Sequence, residues 1–209
     1  MGDPKEVQRR RGRGGRERIL AAATALFEAQ GITATSMEQV AAAAPVSKRT
    51  LYQHFPTKDD LVVSYLRHLV ESGRTIDAVL DRADLPPRDR LLALFALPAE
   101  AGTPIRGCPF IDAAAEFPDP HSPAHRYAAI QKRRMVTRLT ELLTTLGVAD
   151  PRTLGEQLAL LADGAASRSM VLDDTGCCDH ARAAARTLLD AAIPPDPNAL
   201  ASLYSPAGA

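Results

Sequence analysis

The stretch Thr35–Phe55, TSMEQVAAAAPVSKRTLYQHF, holds two helix starts with one break between them. Ser36 is a natural N-cap, followed by Met37, Val40 and Ala41 at helical spacing, with Glu38 and Gln39 early, where the helix dipole favours acceptors. The pattern stops at Pro45 and restarts at Ser47. Leu51 and Phe55 then share one side of a second short helix, and Lys48, Arg49, Thr50, Tyr52, Gln53 and His54 surround the rest without an acid among them. Such a face has the donors and acceptors to read base edges and grip phosphates, and it fits a major groove. Two helices joined by a short break, the second carrying that face, make a helix-turn-helix. A polar helix face that merely meets solvent has similar composition, so spacing alone leaves both readings open.

Working outward, Ile19, Leu20, Ala23, Leu26 and Phe27 recur at helical spacing, and Gly31 is a stop. This helix is the expected third member of the head, because two short helices cannot bury enough apolar surface alone. Residues 1–15, rich in Gly and Arg, read as a disordered basic arm that either attracts phosphates or only solubilises. After Pro56, Thr57 caps a further helix from Lys58, which is positioned to reach a backbone phosphate. The stripe Leu61, Val62, Tyr65, Leu66, Leu69, Ile76 and Leu80 predicts that this helix is long.

The run FEAQGITATSMEQVAAAAPVSKRTLYQHFPTKDDLV resembles the amino-terminal DNA-binding domain of the TetR family of bacterial transcriptional regulators. It does so in the helix ending at Gly31, the Thr35-Ser36 start, Val46-Ser47-Lys48, Thr50-Leu51-Tyr52, His54-Phe55, and Lys58 followed by acids and Leu61. The resemblance implies that Ser47, Lys48, Arg49, Thr50, Tyr52, Gln53 and His54 belong to the DNA-binding surface, with Thr35, Ser36 and Lys58 near phosphates and Leu51 and Phe55 in the core. Pro45 departs from the pattern, standing where the family usually has Gly. Proline does not take a positive φ, so the turn is expected to use another geometry.

The remainder reads as helix throughout. Leu91 to Leu97, a stretch crowded with Gly, Pro and Asp around CPFIDAAAEF, and three later apolar stripes complete the chain. The basic run Lys132, Arg133, Arg134 and Arg138 lacks interleaved aromatics and reads as a solvated face. Leu94, Phe95, Cys108, Phe110, Ile111, Phe117, Tyr127 and Met135 are candidate walls of a pocket for an uncharged or weakly charged hydrophobic effector, and the same residues equally suit a closed core. The resemblance implies a homodimer through the last two helices, where Leu158, Leu161, Ala162, Ala165, Ala185 and Leu188 are candidate contacts. The expected architecture is all-α, a three-helix head followed by a helical ligand-binding and dimerisation domain. Its divisions are a basic arm at 1–15, the DNA-binding domain at 16–60, the effector and dimerisation domain at 61–192, and a flexible tail at 193–209.

The chain has 209 residues, 45% of them hydrophobic, with 25 basic and 25 acidic side chains. That neutrality hides an asymmetry, since residues 1–55 hold nine basic against five acidic side chains and the rest 16 against 20. Cys108, Cys177 and Cys178 have no disulfide-framework spacing, the start has no apolar leader, and no apolar run suits a membrane, so a soluble cytoplasmic protein is expected. An enzyme is the contrasting class. The cluster Cys177, Cys178, Asp179 and His180, and Cys108 with His121 and His125, lack a zinc spacing. There is also no phosphate loop, nucleophile elbow or HExxH. The expectation is a non-enzymatic regulator without cofactor or metal, a repressor released from a palindromic double-stranded operator by a small molecule. The alternative is a thiol-redox or metal-responsive regulator with the same head.

Overall fold

Short polar side chains open helices where the sequence puts them. Ser36, Ser47, Thr57, Ser122 and Asp150 each accept a hydrogen bond from the backbone N–H three residues on, satisfying a donor that the first turn leaves free. The computed structural model describes residues 4–96 and 105–195, with side chains from Gly14 onward. Among these residues the order is α1 (Pro4–Gln30), α2 (Met37–Ala43), α3 (Lys48–His54), α4 (Lys58–Glu71), α5 (Ile76–Leu80), α6 (Pro87–Ala93), α7 (Pro109–Glu116), α8 (Pro123–Thr145), α9 (Pro151–Leu172) and α10 (Gly176–Ala192). The fold is all-helical.

Three boundaries differ from the sequence expectation. From Pro4 the expected arm is continuous with α1, since Lys, Arg, Gln and Glu are good helix formers and the anchored turns after Arg16 supply a nucleus. Residues 1–3, and the tail from 196, lie outside the described residues. The stripe expected to run from Leu61 to Leu80 is cut after Glu71, where Gly73 takes φ 69° and the chain restarts at Ile76. The helix expected through Leu97 ends at Ala93, with Leu94 and Phe95 in the following turn.

Two cores organise the packing. Ile19, Phe27, Val40, Leu51, Phe55, Leu61, Leu66 and their neighbours bind α1–α4 together, and Ala113 of α7 and Ala124 of α8 join this cluster. Phe27 meets Tyr65 edge-on at 5.1 Å, and burial pushes the Tyr65 phenol well above its ordinary pKa. The second core gathers Leu91, Phe95, Met135, Leu139, Leu158, Ala162, Ala185 and Leu189 from α6 and the turn after it, α8, α9 and α10. Helix α8 therefore runs from one core into the other, and α4 packs against both α1 and α8.

Candidate nucleic-acid interface

The presentation of α3 begins with α2. Ser36 Oγ accepts from Gln39 N at 3.2 Å while Gln39 Oε1 accepts from Ser36 N at 2.7 Å, a reciprocal box that fixes the start of α2. At its end Ala44 N donates to Val40 O at 2.9 Å and Val46 N to Ala41 O at 3.1 Å, which folds the chain back tightly. Pro45 sits in that turn at φ 22°. The expectation of another turn geometry is therefore not met. The tight path is kept, and proline is held away from the φ of about −65° that its ring prefers.

Ser47 then opens α3, accepting from Thr50 N at 3.1 Å. Leu51 and Phe55 are buried, and the guanidinium of Arg16 lies 5.2 Å over the Phe55 ring. Burying two such side chains stabilises the seat of α3 by about 1.5–3 kcal/mol each. The opposite face carries Lys48, Arg49, Tyr52 and Gln53 into solvent, with Tyr52 44% exposed.

Several expected contact residues have other duties. Thr35 is only 1% exposed, its hydroxyl donates to Gly31 O at 2.8 Å, and it accepts from Gln30 Nε2 at 3.1 Å, so this side chain braces the end of α1. Lys58 pairs with Glu116 of α7 and is half-buried. His54 is half-buried, and its Nε2 stands so near Gly15 of α1 that a Cβ there would meet it at 3.2 Å. Thr50 Oγ1 is 2.8 Å from Ser47 Oγ. Lys48 Nζ reaches Glu38 Oε1 at 3.1 Å, and this ammonium holds the Glu38 carboxyl below its ordinary pKa. The pair is exposed at both ends and exchanges readily for another anion.

The residues expected as pocket walls divide between the two cores. Leu94, Phe95 and Met135 belong to the second, whereas Phe110, Phe117 and Tyr127 pack against the first. Cys108 is the N-cap position of α7 without a side-chain cap bond, and Ile111 is half-buried on that helix. A surface groove of about 420 Å³ lies elsewhere, between α8 and α9, lined by Arg133, Val136, Thr137, Thr140, Arg152 and Glu156 among others.

Of the expected dimer contacts, Leu158, Ala162, Ala165 and Ala185 are buried within the single chain, where they pack its own core, while Leu161 and Leu188 lie against the same core and are only partly buried. Small residues here serve internal approach, as at Gly155, where a Cβ would lie 3.0 Å from Thr140 Oγ1 of α8.

Sequence reasoning missed the links between the head and the rest. Asp59 Oδ1 accepts from Ala124 N at 2.6 Å and so satisfies a free donor in the first turn of α8. Arg106 donates to the carbonyls of Glu28 and Ala29 at the end of α1. Arg74 pairs with Glu28 at 2.8 Å. Only the acids after Thr57 could have hinted at any of these, and their partners are remote in sequence.

Cys108, Cys177 and Cys178 are free thiols, and among the described residues no group of three or more His, Cys, Asp or Glu side chains could hold a metal ion. No helix among them is long and apolar enough to cross a membrane.

Comparison with known proteins agrees with this geometry. Residues 19–65 match the family described as bacterial regulatory proteins, tetR family. The HTH-type transcriptional regulator YjdC of Escherichia coli K12 is 33% identical over 181 residues, covering 83% of this chain and 93% of that protein. A crystal structure of a TetR-type transcriptional regulator from Streptomyces avermitilis shares 32% identity with a TM-score of 0.74, over 85% of this chain and 97% of that one. The reduced form of E. coli NemR shares the fold at 21% identity and a TM-score of 0.70, over 83% and 96% of the two chains.

Proposed function

This chain belongs to the TetR family of bacterial regulatory proteins, and we propose that it is a repressor whose α3 reads a palindromic operator and whose grip a small effector releases. That it is a transcriptional regulator with a DNA-binding helix-turn-helix follows from the family. The observation that carries the finer reading is the exposed face of Lys48, Arg49, Tyr52 and Gln53 on a helix seated by Leu51 and Phe55. Arg49, Tyr52 and Gln53 face base edges, and Lys48, Ser36, Ser47 and Thr50 contact phosphates. Thr35 and Lys58 support the head from within. The test is selection of bound fragments from the source genome. Enrichment of a palindrome with half-sites one or more helical turns apart supports the reading, and absence of any enriched sequence contradicts it.

A palindrome calls for a two-fold dimer. The stripe left open on α9 contains Leu160, 71% exposed, Gly164 with open space around it, and Val171, 75% exposed. Ala183, Ala184, Thr187 and Ala191 make a similar small-residue face on α10. An apolar stripe of this kind favours burial against a second copy.

Release requires an effector that binds the free and DNA-bound arrangements with different affinity. Lys58 with Glu116, Asp59 with Ala124 N, and Arg106 with the end of α1 are the links by which a change around α7 reaches the head. A thiol-responsive reading has one specific observation in its favour. Burial opposes the charge on Lys132, yet Cys108 and the Asp163 carboxylate beside it hold its pKa above the ordinary lysine value, so a cation stands next to the Cys108 thiol. In that reading the Cys108 sulfur attacks a hydroperoxide oxygen, giving sulfenic acid as the O–O bond breaks and water or alcohol leaves. Release of DNA by peroxide in the wild type, and none in Cys108→Ser, supports it; equal release from both removes it.

A further inference from the structure

The buried face of α8 contains one side chain that the fold does not account for. Ala124 lies in the first core and Met135 in the second, and between them come Ala128 and Gln131. Gln131 is only 9% exposed, and its Oε1 has no hydrogen-bond partner. A buried acceptor left unbonded weakens a fold, and leucine or methionine of similar length would avoid that cost. Facing α8 is α7, which brings the half-buried apolar side chains Phe110, Ile111 and Ala114.

We propose that Gln131 is a specificity-determining residue of the effector site, where its Oε1 accepts a hydrogen bond from the hydroxyl of a mainly apolar, uncharged effector. This rests on the reading of the chain as an effector-released repressor. Charge narrows the class. A cationic effector would need a free carboxylate, and the Asp163 carboxylate that reaches this part of α8 is already paired with Lys132. An anion presents only acceptors, which Oε1 repels. A neutral donor remains, and among neutral donors a phenol or alcohol combines one O–H with a body that fits half-buried phenylalanine and isoleucine.

The test uses the full chain with 4-ethylphenol and its methyl ether, two probes that differ in the hydroxyl hydrogen. Without a probe, Gln131→Leu is expected to melt a few degrees above the wild type, since it removes an unbonded acceptor. Gln131→Met, of nearly equal length, gives the same sign if leucine packs badly. The phenol is expected to raise the wild-type melting temperature with an affinity at least tenfold better than the ether, and this preference disappears in both variants. Lower melting of both variants means that the amide is already satisfied and overturns the proposal. Equal affinity for phenol and ether, or no binding of either, overturns it as well. Operator binding separates the two readings. A wild type that prefers the phenol but holds no DNA keeps the Gln131 assignment and removes the repressor, whereas DNA held and then released without preference removes only Gln131.

Discussion

Pro45 shows most clearly what one residue costs. At φ 22° it occupies a region that glycine enters freely and a pyrrolidine ring resists. Backbone held in such regions costs about 1–3 kcal/mol. Pro45→Gly is therefore expected to raise the melting temperature by about 2–6 °C, after allowing for the greater freedom of glycine in the unfolded chain. An unchanged or lower value would mean that the turn is not strained. Asp59 offers a test by pH. Burial raises its pKa more than the hydrogen bond from Ala124 N lowers it, and Asp60 adds to the rise. A raised folded-state value means that the stability tied to this group is fully present below the ordinary aspartate value of 3.8 and is lost as pH rises through the shifted one. Asparagine keeps the carbonyl acceptor without titrating. The melting temperature of the wild type relative to Asp59→Asn should accordingly be highest in acid and fall as pH increases; a difference flat in pH would contradict the assigned burial.

Among the helices, those that local chemistry defines were legible and those that depend on remote partners were not. Ser36 and Ser47 cap their own helices, and the alternation of Leu51 and Phe55 with polar residues needs no knowledge of the rest. Lys58 illustrates the opposite case, since nothing near it foretells Glu116 of α7. Gly73 and Thr75 did signal the break between α4 and α5, but the apolar period running through Ile76 and Leu80 hid it. On α9 small side chains suit close approach of any helix, internal or foreign, so the residues alone leave both open and the interface is what the resemblance implies. Burial decides the results of substitution there. Arg at Ala165 or Ala185 would place a charge inside the core and unfold the chain, whereas Leu160→Arg leaves the core intact. On the proposed dimer, Leu160→Arg should give folded monomers in sedimentation that bind a palindromic operator weakly. Intact dimers would move the interface away from this stripe.

For the molecule as a whole, the separation of charge and the links around α4 form one argument. The basic excess lies in the first 55 residues, so the field favours approach to DNA by the head although the net charge is zero. Helix α4 is packed on α1 at one side and on α8 at the other, and its first two residues hold Glu116 and the start of α8. A shift of α7 or α8 thus has a direct route to the head through α4. The central claim is that the exposed face of α3 reads bases. It is tested most directly by the affinity of the double variant Tyr52→Ala, Gln53→Ala for a selected operator, measured beside a scrambled duplex over a range of salt. Removing the side chains that touch base edges should cost about 1–3 kcal/mol at each position, bringing operator affinity towards that for scrambled DNA while the salt slope set by the phosphates stays as it was. A double variant that folds and still prefers the operator as strongly as the wild type would contradict the claim.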